Sequence, residues 1–235
     1  MSPFLLAILL SAAAGAMIPL GGWLGRIEHH RDSHLRADLL HGAVAFGGGA
    51  LMAAVMLVLL PLGLATAPGP WLLPAFLAGA GLFLGLDVGL RKRGTRAAVF
   101  IAMVLDYVPE AMALGAALAL GSPAAFLLAF LVGIQNLPEA FSATKDLQRS
   151  RWPPVTLAWL LWGAFLVGPM AATVGFAILP GHPFVLGVVL SATSGGIIAL
   201  LLQEIIPESY RKGHVAPTWG GIAGFSMGLA GHLLV

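Results

Sequence analysis

The chain contains no cysteine, which excludes disulfides and thiolate metal ligands alike. Charge is nearly as scarce: 9% of the 235 residues are charged, against roughly 25% in soluble domains. No HExxH or GxSxG motif is present, and no nucleophile is set beside a base, so an enzyme is not expected. What the chain has in their place is apolar surface, with 59% hydrophobic residues and a mean hydropathy of +0.94. These values exclude a soluble globular domain and describe a polytopic membrane protein. The pI of about 9.4 would suggest nucleic acid in a soluble chain, but in a membrane chain it is read from where the cations lie. Nucleic acid is not an expected partner; membrane lipid is.

A bilayer core of about 30 Å needs about 20 apolar residues per helix. The sequence supplies eight such runs, at about residues 3–24, 39–62, 71–90, 97–120, 124–144, 154–179, 184–207 and 217–234, within one transmembrane domain covering 1–235. Residues 4–16 look like a signal-peptide core, but no cation precedes them and the apolar run continues through Trp23, so they are read as part of the first helix. All twelve lysines and arginines fall in the loops after spans one, three, five and seven. The positive-inside rule makes those loops cytoplasmic, which places both termini on the outer side of the plasma (inner) membrane.

The expected fold is all-α, with eight transmembrane helices. Spans one and six each carry a mid-helix proline, Pro19 and Pro169, in similar glycine-flanked surroundings. Spans two and seven each lead from a glycine cluster to an aliphatic pair and a proline, at Leu59-Leu60-Pro61 and Ile205-Ile206-Pro207. Spans one to three and six to eight therefore read as an inverted repeat around a central hairpin of spans four and five, an arrangement that transporters use.

Inside that hairpin stand two variants of one pattern, Asp106-Tyr107-Val108-Pro109-Glu110 and Gln135-Asn136-Leu137-Pro138-Glu139. In each, a polar residue lies four positions before a glutamate, so both side chains fall on one helix face. The proline removes an amide donor and deprives the carbonyl of Leu105 or Ile134 of its helical partner. Counting from Ser122 at the turn, Glu110 is 12 residues away and Gln135 13, while Asp106 is 16 away and Glu139 17. Each pair is thus level to within one residue, about 1.5 Å of rise. A carboxylate at this depth costs at least about 2.5 kcal/mol on insertion scales, which makes a cluster of them a functional-site hypothesis. Asp106, Glu110, Gln135 and Glu139 are the candidate metal ligands, with Asn136 alongside. Three carboxylates in low dielectric call for a divalent cation or protons to offset them. The alternative is a packing feature, with a buried glutamate bonded to Ser142 or Thr144.

A third element, Gln203-Glu204-Ile205-Ile206-Pro207-Glu208, lies toward the cytoplasmic end of span seven, where Gln203, Glu204 and Glu208 suit an inner exit. Asp87, four residues before Arg91, reads as a salt-bridge partner. His29, His30 and His34 sit in a mixed-charge loop that reads as solvated, and His182 and His232 lie toward the outer face.

At these residues the chain resembles the Zrt/Irt-like (ZIP) family of divalent metal transporters, and the likeness runs through all eight spans. That family carries a His-Asn-x-Pro-Glu-Gly element in spans four and five, similar to residues 106–111 and 135–140, and a His/Asp-Glu-Leu-Leu/Ile-Pro element in span seven, similar to residues 203–207. Ile18-Pro19-Leu20-Gly21 in span one fits as well. The resemblance implies both termini outside, a two-metal site between spans four and five, import toward the cytoplasm, a possible homodimer, and movement of spans one, four, five and six against the rest. Three departures stand out: Asp106 replaces a histidine, Tyr107 an asparagine, and Gly168 stands where span six would carry a Glu-Pro ligand. One main metal position is therefore expected, formed by Asp106, Glu110, Gln135 and Glu139, with only Glu110, Asn136 and Glu139 left for a second. An all-oxygen site shifts preference from zinc toward manganese, ferrous iron or magnesium, though zinc can still pass. The expected function is transport of a divalent cation of the zinc, iron or manganese class, the metal being substrate and no cofactor being required. The alternatives are a proton-coupled solute carrier and a metal-binding paralogue that does not transport.

Overall fold

The structure is a computed structural model that describes residues 1–27, 34–92, 98–209 and 214–234, with side chains except at 34–39, 90–92, 98–99 and 208. His29 and His30 lie outside the described residues, as do the side chains of His34 and Glu208. All regular structure among the described residues is helical. Span one is Pro3–Ile27; span two runs His34–Ala54, then a π-helical turn at Val55–Leu59, then Leu60–Thr66. Span three is Gly69–Lys92, span four Ala98–Ala119, span five Ala124–Arg149 and span six Pro154–Ile178. Span seven repeats the form of span two, with Pro183–Leu200, a π turn at Leu201–Ile205, and Ile206–Ser209. The last helix is Ala216–Leu233.

Seven of these helices are long and apolar enough to cross a membrane, which makes the chain a multi-pass membrane protein. The last, though predicted as an eighth span, does not reach that apolarity. Its five glycines and His232 dilute its aliphatic residues, and four of those glycines, Gly220, Gly221, Gly224 and Gly228, serve packing against span two.

Local chemistry sets both ends of the central hairpin. At the turn between spans four and five Gly121 takes φ +68°, a left-handed conformation that costs glycine nothing. Its N–H donates to Leu118 O and that of Ser122 to Ala117 O, the paired bonds of a Schellman cap. Span five ends in the same cap, with Arg151 N–H donating to Gln148 O and Trp152 N–H to Leu147 O, but here Arg151 holds the left-handed position at φ 59°. A side chain there costs roughly 1–2 kcal/mol.

The helices pack as two groups. In the first, span one lies along spans five and six, and span four along span six; in the second, span two pairs with the last helix and span three with span seven. Glycine brings backbones together inside each group. Gly21 and Gly25 abut the carbonyls of Leu137 and Phe141, Gly115 and Gly175 those of Ala172 and Met112, and a Cβ at any of the four would overlap them. The second group is joined alike, through Gly49 on Gly221, Gly224 on Phe46, Gly79 on Ala192 and Gly195 on Phe76. Small residues permit this approach where no hydrophobic effect drives helices together. Where the groups meet, glycine faces side chains: Gly47 the Pro138 ring, Gly231 the end of Leu127. Spans two and five, and four and seven, make that junction, and the polar stretches of the hairpin lie on it.

Candidate metal centre

Spans four and five bring the predicted residues together at the middle of the bundle. Asp106, Glu110 and Gln135 are buried, and Glu139 is half-buried on the junction side. The level pairing of the two arms is observed directly: Gln135 Nε2 donates to both Glu110 oxygens, at 2.7 Å to Oε1 and 2.8 Å to Oε2. The second predicted pair behaves differently. Both carboxylate oxygens of Asp106, both of Glu139, and Gln135 Oε1 are buried with no hydrogen-bond partner. Such oxygens are costly unless something else offsets them.

Glu139 shares its surroundings with Glu204 of span seven. It opens onto a cleft of about 40 Å³ between the two helix groups, lined also by Gly47, Gly48, Pro138, Ser142 and Glu204. Neither Ser142 nor Thr144 satisfies it, and the Thr144 hydroxyl is itself buried without a partner. At Glu139 the packing alternative, a glutamate bonded to Ser142 or Thr144, therefore lacks its bond. Glu204 also lines a second cleft, of about 20 Å³, with Gln203 and Asp87. Asp87 therefore borders the second cleft, and the side chain of Arg91, its expected partner, lies outside the described residues. Glu208 lies one turn beyond, in Ile206–Ser209. Among the described residues no three His, Cys, Asp or Glu side chains stand close enough to grip one ion together, and Glu110 is hydrogen-bonded to Gln135. The oxygen set that remains is mixed: two carboxylates and an amide.

Asn136 turns elsewhere. Its Nδ2 donates to Ala14 O of span one at 3.3 Å, on a different face of the helix from Gln135. Tyr107 does the same from span four: its hydroxyl donates to Ser11 O at 2.8 Å and its ring is buried against Gly15 and Gly168. Sequence reasoning missed this use of Tyr107. The available signal was positional, since Tyr107 and Asn136 are the second residues of their two stretches and must share a direction 100° from the first.

No family model matches the chain. Among curated proteins it is 27% identical over 129 residues to zinc transporter ZIPB of Bordetella bronchiseptica. The chain resembles the Zrt/Irt-like transporters. The matched region covers 54% of this chain and 42% of that protein, so the chain spans less than half the length of the curated relative it matches.

Proposed function

We propose that the chain carries a divalent metal cation across the membrane through the site between spans four and five. The observation that carries this reading is the set of five buried, unpaired oxygens on Asp106, Gln135 and Glu139, at the edge of a cleft that leads to Glu204. A cation there would offset two carboxylates and accept the lone pairs that no donor meets. The distant likeness to a zinc transporter supports the same substrate class. Because the oxygens are hard ligands, the site suits manganese and ferrous iron as well as zinc.

The packing supports a moving carrier. Backbone-to-backbone glycine contacts join helices within each group, while side chains meet across the junction, so the groups can slide as two bodies with the site between them. The inverted repeat has support too. Exchanging span one for six, two for seven, three for eight and four for five maps the pairing of two with eight onto seven with three, and of one with five onto six with four. The π turns of spans two and seven, each directly before Leu60-Pro61 or Ile206-Pro207, correspond under the same exchange. On this reading the cation passes inward, from the outer face to Glu139 and then by Glu204, Gln203 and Glu208 to the cytoplasm.

Uptake of manganese, iron and zinc isotopes into proteoliposomes tests the proposal. Saturable uptake of at least one, lost in Glu139→Gln, is the expected result; absence of uptake together with absence of any metal-induced thermal shift overturns it.

A further inference from the structure

Both polar stretches give their second residue to span one. Tyr107 reaches Ser11 O and Asn136 reaches Ala14 O, carbonyls three residues apart on one helix. Tyr107 does more than bond. A Cβ on Gly168 of span six would overlap its hydroxyl and ring, and one on Gly15 would overlap its hydroxyl, so the ring ends in a slot made by two glycines on two helices. A residue held on three sides in this way fixes the rotation of its own helix. Asp106 is its immediate neighbour, and Glu110 lies three residues on, at the far side of Pro109. With Pro109 removing one rung of the helical ladder at this point, the backbone alone holds span four less firmly than an uninterrupted helix.

We propose that Tyr107 is a positioning residue for the cation: wedged between Gly15 and Gly168 and tied to span one, it holds span four at the rotation that aims Asp106 and Glu110 at span five. This rests on the metal-site reading above. Asn136 makes the matching tie from span five, so the hairpin is clamped to span one at two points on the same level as the oxygens it presents. The role explains a buried aromatic ring between Asp106 and Glu110 in sequence, whose hydroxyl is turned to span one rather than to an ion. It also explains why glycine stands at 168. Any larger residue would push the ring back along span four and turn the carboxylates with it.

The test is a mutant cycle on the full chain in proteoliposomes, with manganese and zinc uptake read as KM and maximal rate, and folding followed by thermal melting without metal. Tyr107→Ala is expected to raise KM about tenfold, the scale of lost support for metal ligands, with a smaller fall in maximal rate. Gly168→Ala alone is expected to raise KM similarly, yet to add nothing in the Tyr107→Ala background, where the slot is empty. Tyr107→Phe keeps the wedge and loses the tie, and is expected to raise KM by a smaller factor; it decides the matter if the alanine variant does not fold. A lowered melting temperature with KM unchanged in Tyr107→Ala, or in Tyr107→Phe where alanine fails, would reduce Tyr107 to packing and overturn the inference. Additive effects of Tyr107→Ala and Gly168→Ala would overturn the slot. Loss of the inference with wild-type uptake intact leaves the transport reading standing, whereas a wild-type protein that neither binds nor carries metal removes both.

Discussion

Glu110 and Glu139 occupy the same place in two nearly identical stretches, and the structure treats them differently. Glu110 is buried and accepts from Gln135 Nε2 at both of its oxygens, whereas Glu139 has no hydrogen-bond partner and faces the cleft between the helix groups. The difference arises from the residue four positions earlier on the opposite arm. Gln135 can donate to the glutamate level with it; Asp106, level with Glu139, cannot donate as a carboxylate and leaves it bare. One substitution in an otherwise repeated pattern thus divides the carboxylates into one that braces the hairpin and one that is open to a cation.

The largest effect that would sharpen this contrast is expected for Glu139→Gln. It removes a full charge with little change of shape, and should lower metal uptake by at least about a hundredfold, the upper end of what even outer ligand support is worth. Glu110→Gln is expected to cost less, about tenfold, because a neutral pair with Gln135 survives. Equal losses in the two variants, measured side by side in proteoliposomes, would abolish the distinction. Next in size comes Asp106→His, which places an imidazole level with Glu139 and removes one negative charge. Competition uptake should then move toward zinc over manganese by about tenfold, equivalent to about 1.4 kcal/mol. The pH profile should move with it. Protons compete with metal for carboxylates, so wild-type uptake falls as pH is lowered, and the variant should begin to fall at higher pH because a free imidazole titrates near pH 6.5. A variant matching wild type in both respects would remove Asp106 from contact with the ion. The smallest effect concerns orientation, which decides from which side Glu139 is approached. A cysteine introduced into this cysteine-free chain at Gly69 or Gly181, where no neighbour lies within 4 Å of an added Cβ, should leave uptake unchanged and react with an impermeant label from outside. Reaction from outside at position 94 or 213 in sealed, right-side-out membranes would reverse the assigned orientation.

Much of this arrangement was legible because it depends on counting. The span limits follow from apolar run length, and the facing of Glu110 and Gln135 follows from 12 and 13 residues measured from a common turn. What the counting missed depends on contacts between distant segments. Nothing local to Tyr107 announces that Gly15 and Gly168 open a slot for it, and nothing local to Asn136 that its amide nitrogen meets Ala14 O. The pairing of Gln135 with Glu110 also escaped. The sequence reads both as ligands of one ion, and an amide that can either donate or accept is resolved only by its neighbours. The last helix shows the same limit from the other side, since its glycines weaken the apolar signal while strengthening its contact with span two.

The π turn in span seven has a consequence for the phase of that helix. An α-helix advances about 100° per residue, so a turn wound five residues to the bond shifts everything after it relative to everything before, as a screw thread shifts when one groove is widened. Glu204 sits inside the widened turn at Leu201–Ile205 and borders both clefts, while Gln203 beside it borders only the second. Helices usually suffer when a residue is deleted, because the lost residue throws later side chains onto wrong faces. Here one deletion within 201–205 can be absorbed by rewinding the turn as ordinary α-helix. The segments on either side would keep their packing, and the carboxylate between them would be the group that changes direction.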